Sequence, residues 1–132
     1  MTDDLENSAL SLVVFYELTA TKITPRKRQD WEKFLREHHK AKTLVIPSME
    51  DWRIASRLGW LMLQHHEKIP LTATGLQNDI LICQSAASFS DDPPIIVTEN
   101  IKHFSLIAAY INENRKKTPA KLTVVSAKEY FQ

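Results

Sequence analysis

Two glycines, one cysteine and no long apolar run are the scarcities that first limit what this chain of 132 residues can be. With Gly59 and Gly75 its only glycines, it cannot form the glycine-rich loop that cradles a phosphate, which excludes a P-loop or dinucleotide enzyme. Cys83 alone cannot close an internal disulfide. The opening Met-Thr-Asp-Asp-Leu-Glu also lacks the basic and then apolar profile of a secretory leader, so a cytoplasmic location is expected. The longest apolar run, Leu58 to Leu63, contains Gly59 and stops at Gln64. That is far short of the roughly 20 residues needed to span a bilayer, so no membrane is expected among its partners. Charge of one sign is scarce as well. Seventeen Lys and Arg against sixteen Asp and Glu leave a formal charge of +1, and any attraction to phosphate must come from a local patch.

What is present suits one ordinary domain over residues 1–132, since 43% of the residues are hydrophobic and the length supports a core. Ser11 stands as an N-cap before LVVFYELTATK, which reads as a helix although Val13 and Val14 would equally suit a strand. Pro25 opens PRKRQDWEKFLREHHKAK, where Trp31, Phe34 and Leu35 form an apolar stripe within charge, the pattern of an amphipathic surface helix. Leu44 to Pro47 reads as a short buried strand. Ser48-Met-Glu-Asp51 then makes a capping-box start, from which Trp52, Ala55, Leu58 and Met62 continue one face down to His66. Pro70 to Gln77 reads as a loop delivering the chain to a helix that begins at Asp79, where the positive end of the dipole favours a carboxylate. Asp91-Asp-Pro-Pro94 breaks the structure before Ile95 to Thr98, a β-branched run of the kind buried in parallel sheets. A helix over Phe104 to Lys116, a strand over Leu122 to Val125 and a capping box at Ser126 to Glu129 complete the pattern. Helices alternating with short apolar strands argue for an α/β domain with a mostly parallel sheet. In such sheets ligands collect beyond the carboxyl ends of the strands.

Three stretches together carry a family resemblance. GLQNDILICQSA (75–86), followed after eight residues by IIVTENIKHFSLI, resembles the carboxyl half of PIN-domain nucleases. There, a glycine, an Asn-Asp pair and an apolar helix precede a strand end of the form VT-x-N/D-x-x-x-F. Upstream, LSLVVFYEL sets Ser11 six residues before Glu17, similar to the family's strand-to-helix segment, and EDWRIASRLGWLM fits the helix that links the two halves. The resemblance runs from about Ala9 to Phe131. It implies a three-layer α/β/α sandwich that cuts RNA or single-stranded nucleic acid with Mg²⁺ or Mn²⁺, many members being VapC-type toxins of toxin–antitoxin pairs. Carried over by position, Glu17 matches the second family acid and Asp79 the third, both as metal ligands. Asn100 falls where the family has Asp or Asn, as an outer catalytic member orienting a metal-bound water, while Ser11, Asn78, Thr98 and Glu99 are supporting positions. A hard cation of this kind takes one or two carboxylates and keeps waters, one of which can attack. The expected partners are an RNA substrate, a cognate antitoxin and a second copy in a homodimer.

The resemblance also has a gap. The family's first acid ends a first strand about thirty residues before the serine that Ser11 matches, whereas ten residues precede Ser11 here and MTDDLENSAL contains no apolar strand ending in Asp. The sandwich is therefore expected to be incomplete at its amino-terminal side, with activity in doubt. Asp3 and Asp4 sit in a polar stretch with no element to aim them. The alternative reading is an inactive PIN-like module that binds RNA or protein without cutting.

Other chemistry is weaker. His38-His39 and His65-His66 are adjacent pairs, which diverge on a helix rather than converge on a metal, and read as surface histidines. Cys83 reads as a packed core thiol. Between Pro25 and Lys42 seven Lys or Arg stand against three acids, with Arg115, Lys116 and Lys117 further on. They read as solvated faces that could also grip an RNA backbone.

Overall fold

The computed structural model describes residues 8–65, 74–90, 94–114, 121–126 and 128. The chain divides into two compact units, 1–46 and 47–132, and each contains helices and one pair of parallel strands. The protein is mixed α/β, mostly helical, and its strands are only two or three residues long. Among the described residues no helix is long and apolar enough to cross a membrane.

The first unit runs β1 (Leu10–Ser11), α1 (Leu12–Thr19), α2 (Pro25–Ala41) and β2 (Leu44–Val45). β1 lies parallel to β2 with Leu10 opposite Leu44 and Ser11 opposite Val45. Ser11 ends the strand and caps the helix, its Oγ accepting from the Val14 amide at 3.3 Å. That bond satisfies one of the orphan amides of the first turn, which helps a helix form despite two valines. α2 begins at Pro25 as expected, capped by Thr24, whose Oγ1 accepts from the Lys27 amide at 3.2 Å. It ends where Lys42 turns left-handed at φ 60° and its amide reaches back to the His38 and His39 carbonyls.

The stripe of Trp31, Phe34 and Leu35 is half-buried, and its next member is His38, which is fully buried. The expectation of a surface histidine is thus corrected at this position, while His39 and His65 are exposed and His66 lies outside the described residues. Position 38 is seven residues from Trp31 and four from Phe34, so it shares their face. The Phe34 ring meets the imidazole edge-on at 4.5 Å, and Nδ1 pairs with Thr43 Oγ1 at 2.6 Å. Burial pushes the His38 pKa below its ordinary value.

The second unit runs α3 (Met49–His65), α4 (Thr74–Phe89), β3 (Ile95–Val97), α5 (Ile101–Asn114) and β4 (Thr123–Val125). α4 touches both α3 and α5 and is the central helix of this unit. Residues 80–85 are buried without interruption, so α4 is apolar nearly all round rather than amphipathic. Around it pack Ala55, Leu58 and Met62 of α3, and Phe104, Ile107 and Ile111 of α5.

The capping box at the start of α3 is closed. Asp51 Oδ2 accepts from the Ser48 amide at 2.9 Å while Ser48 Oγ accepts from the Asp51 amide at 3.0 Å. The other carboxylate oxygen, Oδ1, accepts from Gln84 Nε2 at 3.3 Å and Ser88 Oγ at 2.7 Å, so a buried acid ties the start of α3 to α4. β4 is held to α5 by Asn112. Its Nδ2 donates to the Leu122 carbonyl at 3.0 Å, and its Oδ1 accepts from the Leu122 amide at 2.8 Å.

Four expectations are corrected in this unit. Trp52 is 59% exposed. The buried stripe is Asp51, Ala55, Leu58 and Met62, and a residue next to Asp51 lies about 100° away around the helix. α4 begins by Thr74 rather than at Asp79, because Leu76, Ile80, Cys83 and Ala87 form one buried stripe that carries the helix back through the Thr-Gly pair. α5 begins at Ile101 rather than Phe104, since Asn100 and Thr98 form its start. β3 does pair in parallel, Ile95 opposite Thr123 through Val97 opposite Val125, but Ile95 and Val97 are exposed, and its sheet has only two strands. The break at 91–93, residues 70–73 of the expected loop, the end of the helix after Asn114, and positions 127 and 129 of the capping box fall outside the described residues.

Candidate functional site

Asp79 lies in the second turn of α4, so the dipole at the helix start does little to hold its charge. Its surroundings come from α5 instead. His103, in the first turn of α5, places Nε2 3.4 Å from Asp79 Oδ2. The carboxylate side chain is 17% exposed and the imidazole 30%, so the pair is largely withdrawn from water yet reachable from it. Such a pair can hold a proton between its members, orient an imidazole for acid–base work, or offer oxygen and nitrogen to a cation. One turn further along α4, Cys83 is fully buried, and burial together with the Asp79 charge pushes its thiol far up. That side chain is a packed core thiol, as expected, and the site's reactive surface ends above it.

His103 was not among the residues singled out from the sequence. Its partnership depends on α5 crossing α4, a contact between residues 24 apart in sequence that no local spacing encodes. The nearest signal is its place in IIVTENIKHFSLI, five residues past Thr98 and just beyond the carboxyl end of a parallel strand.

The supporting positions take structural roles. The Asn100 amide donates to Thr98 Oγ1 at 3.1 Å and its carbonyl accepts from the Phe104 amide at 3.1 Å, which is the geometry of a helix start. The Thr98 amide continues the ladder to the Val125 carbonyl at 3.0 Å. The Asn100 and Glu99 residues are exposed. Asn78, next to Asp79, lines a groove on the α3 side of α4 instead of joining the Asp79–His103 pair. Ser11 serves as the cap of α1 described above.

Glu17 belongs to the first unit and is half-buried in the last turn of α1. Its Oε1 is buried and has no hydrogen-bond partner among the described residues. A carboxylate oxygen left in that condition costs free energy unless a cation or a donor satisfies it. Among the described residues no group of three or more His, Cys, Asp and Glu side chains gathers as a ready-made metal cage. The two candidate ligands are thus one orphaned carboxylate and one carboxylate paired with a histidine. Glu17 belongs to the first unit and Asp79 to the second, and each is described in its own unit.

Searched against known proteins, the chain matches no family model, no curated protein and no solved structure.

Proposed function

We propose that this chain is a PIN-like domain of the three-layer α/β/α kind, built for divalent-metal-dependent cleavage of RNA and paired with an antitoxin. The observation that carries the reading is the Asp79–His103 pair just past the carboxyl end of β3, where parallel α/β sheets collect ligands. The orphaned Oε1 of Glu17 adds to it. Both carboxylates are the residue types and positions that the resemblance assigns to the metal.

In this reading Glu17 and Asp79 would each offer a carboxylate to Mg²⁺ or Mn²⁺, with Asn100 as the outer member, as the resemblance assigns them. When bound, the ion supplies Lewis acidity and lowers the pKa of a coordinated water. The rest belongs to the chain. His103 Nε2 faces Asp79 Oδ2 at 3.4 Å, a contact that orients the imidazole beside the carboxylate. The exposed Arg26, Lys27, Lys33, Arg36 and Lys40 of α2, with Lys42 at its C-cap, supply the charge that attracts a polynucleotide backbone.

The direct test incubates a labelled single-stranded RNA with the protein and Mn²⁺ or Mg²⁺. Cleavage that stops in EDTA and falls at least about a hundredfold in Asp79→Asn is expected, since loss of a metal ligand or its orienter commonly costs this much. Absence of cleavage with either ion, or cleavage indifferent to Asp79, overturns it. The charged face of α2 favours a second reading, a module that binds RNA without cutting it. Its mark is RNA binding that is unchanged by Mn²⁺ and by Asp79→Asn but weakened by salt.

A further inference from the structure

The groove between α3 and α4 measures about 490 Å³, within the roughly 300–1,000 Å³ of small-molecule sites. Trp52, Ser56 and Trp60 line it at successive spacings of four, which puts them on one ridge of α3. Ala55 and Gly59 occupy the neighbouring line of the same helix, and Ile80 of α4 lies against them. Both tryptophans are 59% exposed, an unusual condition for so large an apolar ring. They stand eight residues apart, about 12 Å along the helix axis, with the small Ser56 between them on the ridge. That gap has the length of three fused rings.

Gly59 points to an occupant. It sits inside α3, where glycine weakens a helix relative to alanine, and its φ is not positive, so the backbone does not require it. Packing does not require it either. Among the described residues a Cβ at position 59 would meet Ile80 Cδ1 alone, at 3.8 Å, an ordinary van der Waals contact. What the missing side chain does is deepen the groove. Asn78 of α4 lines the same groove, half-buried, and its carboxamide makes no hydrogen bond among the described residues. It therefore offers an acceptor oxygen and a donor NH₂ side by side, the pattern that pairs with the edge of a lactam or amino-heterocycle. No Lys, Arg, His, Asp or Glu is among the described lining residues. A charged ligand would leave water there without a counter-charge, so the groove suits a neutral one.

We propose that this groove binds a free, neutral, flat heteroaromatic molecule, stacked against the tryptophans over Gly59 with its lactam edge on Asn78. The inference is independent of whether the protein cuts RNA. The probe is lumichrome, an uncharged fluorescent tricycle with a lactam edge, titrated with the full chain and followed by its emission anisotropy. Saturable binding with a dissociation constant below about 100 µM is expected for a ligand of this size. Asn78→Ala is expected to weaken it about tenfold, and 1,3-dimethyllumichrome, whose lactam N–H groups are methylated, is expected to bind the wild type about tenfold more weakly than lumichrome. Gly59→Leu, which fills the groove, is expected to abolish binding. Gly59→Ala separates the groove from the fold: its melting midpoint is expected to rise by about 3 °C while lumichrome binding weakens about threefold or more. No saturable binding by the wild type overturns the proposal, as does binding indifferent to Asn78→Ala or to both Gly59 variants. Equal affinity for the methylated probe overturns the lactam pairing. Displacement of lumichrome by single-stranded RNA would assign the groove to a base of a polynucleotide and overturn the free ligand. Should Gly59→Leu fail to fold by circular dichroism, Gly59→Ala and Asn78→Ala decide.

Discussion

Replacing Asp51 by alanine removes one carboxylate that serves two structures at once. Oδ2 satisfies the Ser48 amide and closes the cap of α3, and Oδ1 holds Gln84 and Ser88 of α4. Loss of a cap interaction costs about 1 kcal/mol. Gln84 is buried and would lose its acceptor, which adds about 1–3 kcal/mol for a donor left unsatisfied. Ser88 is exposed and turns to water at little cost. The expected loss is therefore about 3 kcal/mol, or about 1.5 M in the urea midpoint for a slope near 2 kcal/mol/M. Asp51→Asn separates the two roles. One oxygen can still serve Gln84 and Ser88, while its NH₂ faces the Ser48 amide donor to donor, so a smaller loss of about 1–2 kcal/mol is expected. The assay is equilibrium urea unfolding by circular dichroism at 222 nm, a helix band, on the full chain. A loss under about 0.5 kcal/mol for Asp51→Ala would refute the reasoning, because that is the range of an ordinary surface substitution.

Asn112→Asp keeps the acceptor for the Leu122 amide but sets an oxygen against the Leu122 carbonyl, and a loss of about 2 kcal/mol is expected in the same unfolding assay. Cys83 is expected to resist Ellman's reagent in the native protein and to react fully once urea unfolds it, whereas rapid native labelling would contradict its burial. His38 has its pKa held below 6.5 in the folded state, so it favours the neutral ring. As pH falls through 6.5 the unfolded chain takes up the proton first, and stability declines by up to about 1.4 kcal/mol per pH unit until the folded pKa is reached. Urea midpoints at pH 7.5 and 5.5 are expected to differ less in His38→Phe than in the wild type; equal differences would remove His38 from the account.

Local chemistry made the helix starts at α2 and α3 legible, since proline at a first turn and a Ser-to-Asp capping box act through residues three apart. α4 shows the opposite case. Thr74 and Gly75 carry turn chemistry, and only the buried stripe running back to Leu76 outweighs it, a tertiary effect. His38 is a different case: both histidines lie in the last turn of a charged helix, and the spacing of seven from Trp31 and four from Phe34 already puts His38, not His39, on the apolar stripe that Phe34 and Thr43 cover. The β-branched character of Ile95 to Val97 did indicate a parallel strand, but the burial of its faces depends on what covers the sheet, which periodicity does not encode. In the candidate site, the acid at position 79 was readable and its environment was not. The expected helix-start carboxylate is a second-turn carboxylate facing a histidine from another helix.

The central claim is that Glu17 and Asp79 are kept for a divalent cation. The most direct measurement is calorimetric titration of Mn²⁺ into the 132-residue chain beside its Asp79→Asn and Glu17→Gln variants. Saturable binding in the wild type, lost or weakened at least about tenfold in each variant, is the expected result. Binding that survives both substitutions, or no binding in the wild type, would contradict the claim and leave the Asp79–His103 pair as a structural contact.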